Sequence, residues 1–231
     1  MKDVIFSRKS CRSFSSVSLD DTILTDSLQG LIPLFSEIKT EFRILKKSEV
    51  RSLCPWIPPQ LIAAYSEVKD GYLENIGFLL QQVDLRLQQQ GIGVCWIGLG
   101  KPTVSTPEGM EFVILLAVGT PNGDIKRSAE EFLRKPMCEI TDVADARLEP
   151  ARVAPSAVNS QPWYFLHEGD TIHVYRFSHG LRKALTLGRM NQIDMGIALC
   201  HLFVSNPNTF RFFSADAPEK KGYVYTGSIT L

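Results

Sequence analysis

The sequence has no excess of either charge: 25 Lys and Arg stand against 25 Asp and Glu in 231 residues, a formal net charge of zero. Nucleic-acid and anionic-membrane binders normally carry a basic excess or a basic stripe, so this balance argues against both. Long apolar runs are missing too. No uncharged apolar stretch reaches the ~20 residues that span a bilayer. No apolar signal segment follows Met1-Lys2-Asp3-Val4, so a cytoplasmic protein without membrane attachment is expected. Cysteine is sparse and scattered: Cys11, Cys54, Cys95, Cys138 and Cys200 are odd in number and form no CxxC pair. That pattern fits reduced thiols, not a disulfide framework or a zinc site. The four histidines (His167, His173, His179, His201) show no ligand spacing, and no metal centre is expected. No Ser-His-Asp pattern or carboxylate pair is evident. No G-x-G-x-x-G fingerprint follows a strand, so a stably bound dinucleotide is not expected either.

What is present is an ordinary globular composition, 44% hydrophobic and 22% charged, enough for one large domain or two small ones. A helix is expected from Leu19 to about Gly30, capped by Asp20 or Ser18. Residues 31 to 70 read as irregular apart from a strand at Phe42–Leu45, with Pro55, Pro58 and Pro59 as breakers. Tyr72 to Gln90 is the clearest helix, because Tyr72, Ile76, Leu79, Leu80, Val83 and Leu87 share one face. Val94–Ile97 and Phe112–Val118 read as buried strands. Short helical pieces are expected at Glu130 to Arg134 and from Val143 to Ala154. Trp163–Leu166 and Ile172–Phe177 form a hairpin around Glu168-Gly169-Asp170. A second strong helix runs from Asn191 to Phe203, followed by closing strands at Phe210–Phe213 and Tyr223–Leu231. The interleaving makes an α+β chain. A faint repeat relates Asn75-Ile76-Gly77-Phe78-Leu79-Leu80 to Asp194-Met195-Gly196-Ile197-Ala198-Leu199, which suggests halves at 1–140 and 141–231.

Three segments carry chemistry. Arg8-Lys9-Ser10-Cys11-Arg12 places three cations and a hydroxyl within five residues, a grip suited to phosphate; read alone, the segment is better described as a solvated basic face. Gly91-Ile92-Gly93-Val94-Cys95-Trp96-Ile97-Gly98-Leu99-Gly100 permits close backbone approach to a flat group, or is simply a tight helix-to-strand turn. Ala154-Pro155-Ser156-Ala157-Val158-Asn159-Ser160-Gln161-Pro162-Trp163 offers neutral donors and acceptors to the edge of a heterocycle, or forms a polar turn.

Together these segments resemble the signatures of the nitroreductase-like flavoproteins, FMN-dependent NAD(P)H oxidoreductases, from Arg8 to the helix near Asn191. The A-P-S-x-x-N-x-Q-P-W segment is the most specific of them. In typical members that segment follows soon after the N-terminal Arg-Ser-Arg motif, and two chains share each flavin. Here it begins at Ala154, after the glycine-rich run, so the resemblance implies a fused, pseudo-dimeric form in one chain. With a single Arg-x-Ser-x-Arg motif, it implies one FMN per chain and a site that a monomer can complete. It also implies that Arg8, Lys9 and Ser10 contact the phosphate or ribityl chain, with Lys126 or Arg127 completing the phosphate site. Arg12 is placed near the pyrimidine side, and Ile97 and Gly98 along the ring. Pro155, Ser156 and Asn159 approach from the second half. No side chain is implied as catalytic, because the flavin N5 carries the hydride from a transient NAD(P)H to a small acceptor such as a nitroaromatic or a quinone. The alternative is a non-catalytic flavin-binding or storage protein, or a degenerate family member without redox activity.

Overall fold

Two long helices form the centre of the molecule. The computed structural model describes residues 1–178 and 181–231; His179 lies outside them. The chain begins with α1 (Lys2–Ile5) and α2 (Asp21–Ser27), then runs through β1 (Thr40–Lys46), β2 (Val50–Ser52) and β3 (Gln60–Ser66) to α3 (Tyr72–Gln89). After α3 come β4 (Gly93–Ile97), β5 (Gly100–Pro102) and β6 (Glu111–Gly119). The second part runs through α4 (Glu149–Arg152), β7 (Trp163–Glu168) and β8 (Thr171–Phe177) to α5 (Leu181–Ser205), and closes with β9 (Arg211–Phe213) and β10 (Tyr223–Thr230).

The sheets repeat one pattern. β1, β3, β6 and β4 lie side by side in that order, as do β7, β8, β10 and β9, with every neighbour antiparallel. Each part therefore runs strand, strand, helix, strand, strand, and inserts its last strand between the second and third. β2 and β5 make a separate small ribbon. Strands on either side of residue 140 belong to different sheets, yet the core is not divided there. Ile62, Ile114 and Val94 from one sheet and Phe165, Val174 and Ile229 from the other belong to one buried cluster around α3 and α5. Burial of apolar surface is the dominant stabilising term, so the two sheets are stabilised through one shared core.

The two helices cross at glycine. A Cβ on Gly77 would run into the Ile193 carbonyl oxygen, and one on Gly196 would run into the Glu74 carbonyl oxygen. Each glycine thus faces the residue three before the other, and the faint repeat marks this reciprocal contact. Because α3 is buried nearly all round, its polar side chains find partners inside the protein, although Asn75 Nδ2 and Gln81 Oε1 are left without one. Asn75 Oδ1 accepts from the Leu34 and Phe35 backbone N–H groups at 2.9 and 3.0 Å. Gln81 Nε2 lies 3.0 Å from His201 Nε2, and His201 Nδ1 lies 2.8 Å from the Pro150 carbonyl. That pairing puts the ring proton on Nδ1, and burial holds the imidazole neutral with its pKa near 3.

Several elements differ from their expected bounds for physical reasons. α2 is shorter than expected, with Asp20 accepting from Thr22 N at its start. β3 falls within the span expected to be irregular. All seven of its residues are buried, so it lacks the alternation that marks a half-exposed strand. The expected helix from Val143 resolves into a 3₁₀ turn, Ala146–Leu148, and the single turn of α4. The piece at Glu130 is one 3₁₀ turn, Ala129–Glu131. α5 begins ten residues earlier than expected, at Leu181.

The crossing can be tested by adding one methyl. Gly77→Ala or Gly196→Ala forces backbone apart and should cost about 2 kcal/mol or more in urea unfolding. Gly123, which has nothing within 4 Å, should tolerate Ala within about 0.5 kcal/mol. Equal effects at all three positions would contradict the tight crossing.

Candidate functional site

β4 is an edge strand, and the N-terminal segment lies along it, with Cys11 N donating to the Val94 carbonyl at 2.9 Å. Gly93 permits that approach, since a Cβ there would sit 2.7 Å from Cys11 Sγ. Facing this edge are α5 and the loop that precedes β7, both from the second part of the chain. Between them is a narrow cavity of about 140 Å³, lined by Arg12, Trp96, Ile114, Pro155, Met190 and Asp194 among others. Ser10, Arg12, Pro155, Ser156 and Val158 also border an adjoining hollow of about 360 Å³ that is lined by Arg8, Arg127, Arg134 and Asn159. The result is one elongated cleft, apolar at one end and cationic at the other.

The loop over the cleft is strained. Val158, Asn159 and Gln161 have φ of 47°, 56° and 46°, a region costly for residues with a Cβ, most of all a β-branched one. Val158 nevertheless leaves its side chain 81% exposed at the cleft. Strain of this kind persists only where neighbours over-determine it. Ser156 Oγ accepts from Gln161 N at 2.9 Å, and Asp194 Oδ1 accepts from Ala157 N at 3.0 Å. Asn159 Nδ2 donates to the Leu133 carbonyl at 2.8 Å, and Gln161 Oε1 accepts from Lys135 N at 2.7 Å. Asp194 holds this loop as Asn75 holds 34–35 in the first part. Burial pushes its carboxyl up to about 8, against the hydrogen bonds from Ala157 and Ser160. Ser160 has one hydroxyl proton for two oxygens, Asn191 Oδ1 at 3.0 Å and Asp194 Oδ2 at 3.4 Å. A proton on Asp194 removes that conflict.

At the other end the charges are crowded. Arg8 is 1% exposed and lies 3.2 Å from the fully buried Asp84. Asp84 also accepts from Trp96 Nε1 at 3.2 Å and from Gln88 Nε2. One carboxylate on α3 therefore sets both the cationic end and the aromatic wall. Arg8 Nη1 and Arg127 Nε are buried without a hydrogen-bond partner. Burial, then the charge of Arg8, lowers the Arg127 pKa. Burial, then Arg127 and Arg8, brings Arg134 down to about 10. Crowded guanidiniums that leave donors unused are complementary to a polyanion.

The family model described as "Putative TM nitroreductase" matches residues 1–206. The chain belongs to that nitroreductase-like family. No curated protein matches. Among solved structures, a putative nitroreductase from Thermotoga maritima is 22% identical with a TM-score of 0.67, over 100% of this chain and 93% of that one. A nitroreductase family protein from Clostridium difficile 630 is 14% identical with a TM-score of 0.50, over 63% of this chain and 98% of that one. An FMN-dependent nitroreductase from C. difficile R20291 is 16% identical with a TM-score of 0.46, over 58% and 96%. The first two of these likenesses support the nitroreductase-like α+β fold.

Of the residues that the family motifs single out, Arg8, Ser10, Arg12, Arg127, Pro155, Ser156 and Asn159 all line the cleft. Lys9, Ile97, Gly98 and Lys126 do not. Lys9 donates its backbone N–H to Gln88 Oε1 at 3.2 Å. Lys126 forms a backbone bridge to Arg8, but its side chain is exposed. Ile97 is buried with Leu61 and Leu115 on the other face of its sheet, while Trp96 takes the place at the cleft. Gly98 sits at the rim, where a Cβ would come within 3.3 Å of Met190 Sδ. Arg134, Met190 and Asp194 were not anticipated from the sequence. Asp194 alone had a signal, because it opens the second copy of the repeat. A serine-histidine-carboxylate line does exist: His173 lies 2.8 Å from Ser228 Oγ and 2.9 Å from Glu168 Oε2. Ser228 is fully buried and lines none of the described cavities, so this is a structural hydrogen-bond chain across the second sheet. Among the described residues, no three His, Cys, Asp or Glu are placed to hold a metal, and all five cysteines are free. No helix among them is long and apolar enough to cross a membrane.

The raised Asp194 pKa fixes the sign of a pH effect. The folded state keeps a proton that the unfolded state releases near pH 3.9. The stabilisation is therefore full below that pH and is lost as pH rises through about 8. Asp194→Asn, which supplies the same acceptor without ionising, should flatten urea-unfolding stability between about pH 5 and 8. Parallel curves for variant and wild type would contradict the assignment.

Proposed function

We propose that the cleft binds FMN and that the chain is an FMN-dependent oxidoreductase, moving reducing equivalents from NAD(P)H to a small acceptor such as a nitroaromatic or a quinone. The observation that carries this reading is the pair of unused buried donors, Arg8 Nη1 and Arg127 Nε, at the cationic end of a cleft with an aromatic wall. Arg8, Arg127 and Arg134 would hold the phosphate, with Ser10 as a neutral donor. Trp96, Pro155 and Met190 would enclose the ring, and Arg12 supplies a positive charge beside it. FMN, when bound, supplies hydride chemistry at its ring N5, so no side chain is required as acid or base. The protein's part is to hold a rigid slot, and the over-determined loop of Ser156 to Gln161 does so.

We also read the two parts of the chain, 1–140 and 141–231, as a fused counterpart of a two-chain site. The repeated strand order and the reciprocal glycines support this. So does a cleft that takes Arg12 and Trp96 from one part and Pro155, Met190 and Asp194 from the other. One chain then supplies a whole site, and a monomer suffices. The free cysteines suit a reducing cytoplasm.

Two measurements test this reading. In FMN titrations, Arg127→Met should lose about tenfold or more in affinity, the value of a charge-assisted hydrogen bond. Lys126→Met, altered next door on an exposed side chain, should stay within about twofold. Under anaerobic conditions, NADH or NADPH should bleach the bound flavin. Equal losses in the two variants would contradict the phosphate assignment. Flavin that resists both reductants would leave a binding protein in place of an oxidoreductase.

A further inference from the structure

The repeated architecture makes a second hollow at the other end of the helix crossing. Exchanging the two parts of the chain carries the 155–158 loop onto Leu34 and Phe35, α5 onto α3, and β4 with β6 onto β9 with β10. Those are the elements that surround a cavity of about 440 Å³, lined by Phe35, Glu74, Arg176, Gln192, Phe212 and Phe213 among others. Glu74 stands at the same offset from Gly77 as Ile193 does from Gly196, so the exchange places a carboxylate where the first cleft has an apolar side chain.

The chemistry of this hollow is unlike that of the first. It has a single arginine and two acids, Asp70 and Glu74, so it does not offer the grip for a phosphate that the first cleft has. Aromatic rings occupy its wall: Phe35 and Phe212 meet edge to face with centroids 5.5 Å apart. Gly71 is required beneath Phe35, since a Cβ there would lie 2.6 Å from the ring, and Gly227 would clash with Phe212 in the same way. Glu74 and Arg176 line the same cavity without an ion pair between them. Burial raises the Glu74 carboxyl to about 7, while Arg176 is near enough to oppose that rise. Arg176 has no hydrogen-bond partner among the described residues, and the Glu74 carboxyl takes only its own backbone N–H, which also opposes the rise. Two opposite charges held apart, beside a wall of phenylalanine, are complementary to a molecule that carries both charges and an apolar body.

We infer that this hollow binds a small zwitterion with a large apolar side chain, the class of aromatic and branched α-amino acids. Its carboxylate would face Arg176, its ammonium group Glu74, and its apolar body Phe35, Phe212 and Phe213. The inference does not depend on flavin in the other cleft.

The probe is L-phenylalanine, titrated calorimetrically into the full chain, with phenethylamine and 3-phenylpropionate as analogues that each lack one charge. L-Phenylalanine should bind in the millimolar range or tighter, and each analogue about tenfold or more weaker. Glu74→Gln and Arg176→Gln should each weaken L-phenylalanine by about tenfold or more, with far-UV circular dichroism confirming the fold. Arg127→Met, in the first cleft, should leave the affinity unchanged. The inference fails if L-phenylalanine gives no heat up to about 10 mM. It fails equally if phenethylamine binds as tightly, or if Glu74→Gln binds like the wild type.

Discussion

The close crossing of α3 and α5 is the constraint on which the rest depends. Backbone meets backbone at Gly77 and Gly196, so the two helices act as one rigid unit and the sheets pack on either side of a single core. The same contact sets the sites. With Gly196 against Glu74, Asp194 is placed to hold the loop at Ala157 and Ser160. With Gly77 against Ile193, Asn75 is placed to hold Leu34 and Phe35. Further along α3, Asp84 fixes Arg8 and Trp96. Two helices thereby position both walls and both ends of the cleft.

One scaffold used twice does not give one chemistry twice. Around the first cleft, Arg8, Arg12, Arg127 and Arg134 gather without an equal number of acids. Around the second, Asp70 and Glu74 outnumber Arg176. The zero net charge of the chain hides these two opposed local fields. Overall charge informs about bulk partners such as nucleic acid, while the local arrangement selects a small ligand.

Much of this was legible from sequence where a pattern is local. The apolar stripe of Tyr72 to Gln89 and the hairpin about Gly169 follow from periodicity and turn chemistry. The loop at 154–163 was legible as a motif. The repeat at Gly77 and Gly196 was faint because only the glycine and its polar neighbour are under the same constraint. What stayed hidden depends on tertiary contact. β3 is buried on both faces and so loses its alternation. Arg134 reaches the cleft only because its guanidinium bonds the Ala154 and Asn159 oxygens at 3.1 and 2.7 Å. Whether Trp96 or Ile97 faces the cleft is decided by which face of β4 the core covers, and residue order alone does not fix it.

We propose that one chain builds one complete flavin cleft from its two parts. Native mass spectrometry of the chain mixed with excess FMN tests it most directly. The prediction is a monomer of 25.9 kDa carrying one FMN, with no second flavin as the concentration rises. Flavin found only on dimers, or two flavins on one chain, would contradict it.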